Sequence, residues 1–190
     1  NEWIYKGKIK KINNKHTLYE FLTDICYKIY SDCPVFNNEL VNNNTLSTPI
    51  LVSKKYLLRA LLANSSKEDL GFDKLKFPPE KAIYISLLKE SGIHKLNKKL
   101  GYFELSVPPK TSNLHHLWVI SEEFLSSALS NKKNLSELYD ILLSQPYKLK
   151  KGFVDFWIPI FLISKKEDYA LFYKNGNYIP FLQEDTLDLI

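Results

Sequence analysis

The chain has no methionine, only two cysteines, six scattered glycines and a single arginine, Arg59, among 26 basic residues. Each shortage excludes something. It opens Asn1-Glu2-Trp3 with no Met anywhere and without the basic-then-apolar pattern of a secretion signal. It is therefore expected to be cut from a longer protein. Two cysteines cannot make a disulfide framework, and such low use fits a reducing, cytoplasmic setting. Cys26 and Cys33 lie seven apart with no histidine paired closely to either, which misses zinc-site spacing. Cys26 is expected to be a small core residue and Cys33 to begin a turn. Gly7-Lys8 is followed by Ile9 and lacks an upstream glycine at phosphate-loop spacing, so ATP is not expected to bind here. There is no Gly-x-Ser-x-Gly elbow. No apolar run reaches the ~20 residues that cross a bilayer. The nearest, 153–164, is short and carries Asp155 and Pro159, so no membrane partner is expected.

What remains is a globular composition. With 190 residues, 45% hydrophobic and 14% aromatic, the chain can bury a core as one large or two small domains. The net charge of +5 and pI near 9.0 invite a nucleic-acid reading. The excess is nearly all lysine, in a chain rich in Asn, Ile, Tyr and Phe. That bias follows from AT-rich coding, so the lysines read first as solvated surface.

The spacing predicts a mainly α protein with small β-hairpins, arranged as two trihelical, helix-turn-helix-like units. Residues 1–78 would hold an N-terminal hairpin plus the first unit. Residues 79–190 would hold a helical connector and a second unit of winged-helix type. The first hairpin bends at Lys6-Gly7-Lys8. A helix follows with Thr17 and Glu20 as its capping box, with Leu18, Phe21, Leu22, Ile25, Cys26, Ile29 and Tyr30 at helical spacing up to about Asp32. A brief helix over 37–41 and a longer one over 48–64, with Thr48 as cap and Pro49 first inside, complete that unit. Residues 65–77 read as a polar connection, and 78–92 as a helix ended by Gly92. Residues 93–113 look irregular apart from a strand at 102–106. Helices are expected over 114–129, 135–143 and 153–164, the last apolar all round, hence buried, and kinked at Pro159. Asn175-Gly176 between two apolar runs marks a hairpin with positive φ at both residues, and Pro180 confines the second strand to an edge. A short helix over 184–190 closes the chain. Three helices and a two-stranded hairpin, in that order, are the winged-helix arrangement.

Few residues suggest chemistry, and no catalytic residue, metal, cofactor or small-molecule substrate is expected. His115 and His116 are adjacent on a helix and point apart, so one should be partly buried and the other exposed. Glu122-Glu123 reads as a solvated face, and Glu184-Asp185 as a favourable helix start. For duplex DNA the candidates are Lys54, Lys55 and Arg59 on or beside the polar side of the long helix of the first unit, with Lys174, Asn175 and Asn177 at the wing tip. Lys95, Lys98, Lys99, Lys148, Lys150 and Lys151 lie between them. An apolar 153–164 cannot read base edges, so direct readout by the second unit is not expected.

Several stretches resemble a region of very large bacterial P-loop ATPases associated with phage-defence loci, including BREX-type systems. They are Ile25-Cys26 through Tyr30, Pro34, Asn38-Glu39-Leu40 and Leu46-Ser47, then Phe77-Pro78-Pro79-Glu80-Lys81-Ala82-Ile83-Tyr84 with Gly92. Gly152 through Pro159, Ala170-Leu171-Phe172-Tyr173 and Gly176 complete the set. Asp155 and Phe156-Trp157 depart from the small aliphatic residues expected before Pro159. The resemblance implies that the ATPase core lies outside this chain. It also implies an accessory helical and winged-helix segment for assembly or DNA contact, whose partners are other domains of the parent protein, separate proteins, or duplex DNA.

Overall fold

The computed structural model describes residues 2–187. Strands β1 (Glu2–Tyr5) and β2 (Lys8–Lys11) pair antiparallel. Lys6 and Gly7 both take positive φ, 50° and 73°, the geometry that matches strand twist in a two-residue turn. Helix α1 (Lys15–Ile29) follows. Its cap is Asn14, whose side chain accepts from the Thr17 amide at 2.8 Å. The capping box expected at Thr17 does not form, because Asn14, a stronger N-cap than Thr, starts the helix upstream, and Glu20 lies instead beside His16. The helix ends at Ile29 rather than Asp32.

No helix forms over 37–41. The Asn38 side chain accepts from the Leu40 amide at 3.0 Å and its carbonyl from the Asn42 amide at 2.9 Å, a local turn that outcompetes helical bonding. The first trihelical unit therefore lacks its middle helix. In helix α2 (Thr48–Asn64) the N-cap position falls one residue earlier than expected, at Ser47, whose side chain makes no capping hydrogen bond. The following connection contains a 3-10 turn, Glu68–Gly71, in which Asp69, Leu70 and Gly71 take φ of 49°, 53° and 73°.

Helix α3 (Pro79–Tyr84) runs directly into a π-helical turn, Ile85–Lys89. The strand expected at 102–106 forms as β4 (Tyr102–Leu105), and it pairs in a hairpin with β3 (His94–Asn97), a stretch expected to be irregular. Helices α4 (His115–Ser127), α5 (Leu135–Leu143) and α6 (Lys151–Ser164) come next. For α5, Asn134 and Glu137 form a reciprocal capping box. Strands β5 (Leu171–Phe172) and β6 (Tyr178–Ile179) pair antiparallel. Their turn corrects the expectation at Asn175, since only Gly176 has positive φ, +85°. The Gly176 amide bonds to the Tyr173 carbonyl, and the Tyr173 amide to the Asn177 carbonyl, each at 2.8 Å, giving a three-residue loop with a glycine bulge. Helix α7 (Glu184–Leu187) begins as expected, and residues 188–190 of that expectation lie outside the described residues. The chain is mainly α with small antiparallel hairpins.

Helix α6 is the axis of the core. Eleven of its 14 residues are buried, and the helix continues through Pro159 without interruption. The Trp157 indole donates to the Ser121 hydroxyl on α4 at 3.0 Å. Trp118 meets the Trp157 ring edge-on at 6.2 Å and Phe161 at 5.4 Å. One buried cluster draws on Val41, on α2 through Ile50, Leu57 and Leu61, and on α3, α4, α5 and α6. It therefore includes residues from both sides of position 78. No helix among the described residues is long and apolar enough to cross a membrane.

Candidate protein-docking groove

Helix α1 buries none of its residues. One stripe, Leu18, Phe21 and Ile25, is half-buried, and Phe21 meets Tyr5 of β1 edge-on at 5.7 Å. A second stripe of Tyr19, Leu22, Cys26 and Tyr30, with Tyr27 beside it, faces a groove of about 690 Å³. Cys26 is exposed there rather than in the core. The opposite wall is residues 33–37. The Asn113 side chain donates to the Val35 carbonyl at 2.5 Å, and Asn42 to that of Phe36 at 3.3 Å. Phe153 of α6 reaches the groove and touches Phe36 edge-on at 4.9 Å. Burial pushes the Cys33 thiol pKa up, so this cysteine favours its neutral form.

The third wall is the segment entering α6. Tyr147 and Leu149 are buried, while Lys148 and Lys150 line the groove. Lys148 takes φ +50°, a left-handed conformation uncommon for non-glycine residues. It is held by its amide bond to the Ser144 carbonyl at 2.7 Å and by the bond from Leu149 to Leu142 at 3.0 Å. Lys150 is the N-cap residue of α6. The apolar lining is itself left open to solvent, with Tyr27 65% and Val35 60% exposed.

The residues predicted to touch DNA occupy two separate elements. On α2, Lys54 is half-buried, and Lys55 and Arg59 are exposed, the Arg59 guanidinium lying 5.9 Å from the centre of the Tyr56 ring. That outer face also exposes Leu51, Val52 and Tyr56, so it is less polar than a groove-reading helix. Lys174, Asn175 and Asn177 are exposed on the β5–β6 turn, where the Asn175 side chain accepts from the Asn177 amide at 3.0 Å. Sequence reasoning missed this groove. The available signal was the second apolar stripe on α1, since one packed face needs only one.

A buried polar cluster sits elsewhere. His94 Nε2 lies 2.8 Å from the Ser65 carbonyl and Nδ1 2.8 Å from the Tyr84 hydroxyl. A carbonyl only accepts, which assigns the proton to Nε2 and leaves Nδ1 to accept from Tyr84. Asp69 accepts from Lys89 at 2.6 Å and lies 3.2 Å from the Tyr84 hydroxyl. Burial pushes Asp69 up, but the hydrogen bond and charge of Lys89 outweigh it and hold the carboxyl below its ordinary value. Burial raises the Tyr84 phenol, and Asp69 adds to the rise. The cluster ties the left-handed 69–71 turn to α3 and β3. Glu122, expected on a solvated face, instead pairs with Lys165 at 2.5 Å. Partial burial raises its carboxyl, but the Lys165 hydrogen bond leads the effects that bring it below normal. His115 is half-buried and His116 exposed, as expected. Among the described residues no group of three or more His, Cys, Asp or Glu could hold a metal ion.

The fold and groove together define a mainly α body with a hairpin-and-helix arm and an open apolar cleft between them. No protein-family model matches this chain, and no curated protein and no solved structure matches it either.

Proposed function

We propose that this chain is a non-catalytic protein-interaction region of a larger bacterial ATP-binding protein of the phage-defence type, working inside the cell. The observation that carries the interaction reading is α1. A helix of 15 residues with none buried, displaying Tyr19, Leu22 and Tyr27 along an open groove, leaves apolar surface that a partner's burial would stabilise. Tyrosines at such a surface supply rigid contact area with a polar end. The larger-protein part of the reading rests on the motif resemblance alone. The order α4, α5, α6 and β5–β6 supports describing the C-terminal half as a winged helix.

Photocrosslinking in the cell of origin tests this. With benzoyl-phenylalanine at position 27 in the parent protein, a discrete crosslinked polypeptide segment is expected, absent when the probe is at exposed Lys99. Equal labelling at both positions would sink it.

The alternative is a DNA-contacting region, favoured by the exposed Lys55 and Arg59, which lie i,i+4 on α2. It predicts duplex affinity that falls linearly with salt on logarithmic axes, with a slope flattened by K54A, K55A and R59A. A folded sample that fails to bind duplex at low salt removes this alternative.

A further inference from the structure

The lining of the docking groove also specifies the charge of its occupant. Among the residues that line it, Lys148 and Lys150 are the two charged side chains, and both are cationic. The rest are aromatic, aliphatic or neutral polar: Tyr19, Leu22, Tyr27, Val35 and Phe153 among them. We propose that the groove receives an acidic amphipathic protein segment, apolar side chains down and carboxylates toward Lys148 and Lys150. This rests on the protein-interaction reading above and adds to it the chemistry of the partner.

Three features favour a polypeptide over a small amphiphile of the same charge. The groove is open, and Tyr27 and Val35 of its lining stay largely exposed, an outward apolar rim that a small molecule seated inside would leave wet. The cations are built into the scaffold. Lys148 stands between buried Tyr147 and Leu149 on a backbone pinned by two hydrogen bonds, and Lys150 is fixed as the first residue of the entry into α6. Both ammonium groups therefore start from defined backbone positions, which lowers the ordering cost of meeting a carboxylate. Finally, α1 has nothing buried to hold it rigid, so this wall can adjust to a partner's side chains without opening the core.

Charge at the rim of an interface acts mainly on encounter and selection. The pairs should thus set which sequence binds, while the tyrosines and Phe153 set how tightly.

A random-peptide phage selection on the intact chain tests the proposal. Peptides are kept only if they fail to bind a Y27D/V35D double variant, whose folding is checked by circular dichroism and thermal melting. The survivors are expected to combine apolar anchors with Asp or Glu. Replacing both lysines with glutamate (K148E, K150E) should weaken these peptides about tenfold, equivalent to ~1.4 kcal/mol, and shift a repeated selection toward Lys and Arg. K148Q with K150Q should give an intermediate loss. Groove-dependent peptides with no acidic bias would overturn the charge assignment while leaving the protein-interaction reading standing. No groove-dependent peptide at all would overturn both. Sodium dodecanoate binding the groove more tightly than any selected peptide would show a small-amphiphile site and overturn the polypeptide assignment.

Discussion

Gly152 and Asn43 are joined backbone to backbone: the Gly152 amide donates to the Asn43 carbonyl at 2.8 Å, with no room between them for a side chain. A Cβ on Gly152 would lie 2.5 Å from Leu46 Cδ2, 2.6 Å from the Asn43 oxygen and 2.8 Å from the Val41 oxygen. Two of those neighbours are backbone and cannot rotate away. Residue 152 therefore fixes how closely the 41–46 loop seats on α6.

Gly152→Ala should destabilise the chain by about 1–3 kcal/mol, the usual range for overpacking. Gly7→Ala is the control, since a Cβ there meets nothing within 4 Å and costs only the ~1–2 kcal/mol of left-handed backbone. Urea unfolding checks both, and the effect of G152A should include a lower unfolding slope if the loop lifts away.

Ser121→Ala should cost about 1–3 kcal/mol by leaving the buried Trp157 indole N–H without its acceptor. Trp157→Phe should add less on the S121A background than on the native one. A double-mutant cycle by chemical denaturation reads the coupling, and strict additivity would mean that the hydrogen bond contributes nothing.

Lys81 is buried, and its ammonium donates to the carbonyls of Asp73, Lys74 and Lys76 at 2.7, 3.3 and 3.0 Å. It also lies 4.0 Å from the centre of the Phe77 ring. Lys81→Met keeps the stem and removes the donors. Amides 74–77 should then exchange faster by hydrogen–deuterium exchange, with a loss of roughly 1.5–3 kcal/mol for bonds from a charged donor. Unchanged exchange in that loop would show that the ammonium is not what orders it.

Stability should fall on mild acidification because of His94. Burial leads the effects on this imidazole and lowers its pKa below 6.5, although the Ser65 carbonyl and Asp69 pull the other way and Lys89 adds to the lowering. Glu68 and Lys81 are the remaining charges acting on the Asp69–Tyr84 pair. In the window between the lowered folded value and 6.5 the unfolded chain binds more protons, so unfolding free energy rises with pH. The stability contributed by neutral His94 is full above 6.5 and is lost as pH falls through that window. Melting curves of native chain and His94→Gln across pH 5–8 should show a steeper acid decline in the native chain.

Much of the architecture was legible because local signals and burial agree. The helix expected over 135–143 forms with those bounds, and α6 was recognisable as buried from its continuous apolar run. Lys6-Gly7 located the first bend. The failures are places where a side chain competes with the backbone or where partners are distant. Asn38 replaces a helix by an Asx turn. His94-Lys-Leu-Asn97 has no strand-like composition and becomes a strand because Leu105 and its neighbours pair with it. Cys26 fits a helical apolar period yet faces the groove. That groove joins residues 19–30, 33–42 and 148–153, and no periodicity within one segment reports such a meeting. Lys55 and Arg59 were correctly read as exposed, but their helix also exposes Leu51, Val52 and Tyr56.

The placement of α6 late in the chain bears on biosynthesis. An almost wholly oily segment released early would emerge from the ribosome with nothing to shelter against. Here α2, α4 and α5, which pack against it, are all translated first, and chains acquire structure as they emerge. A circular permutant starting at Lys150 reverses that order, and should yield more insoluble product than the native arrangement even though every contact in the finished molecule is the same.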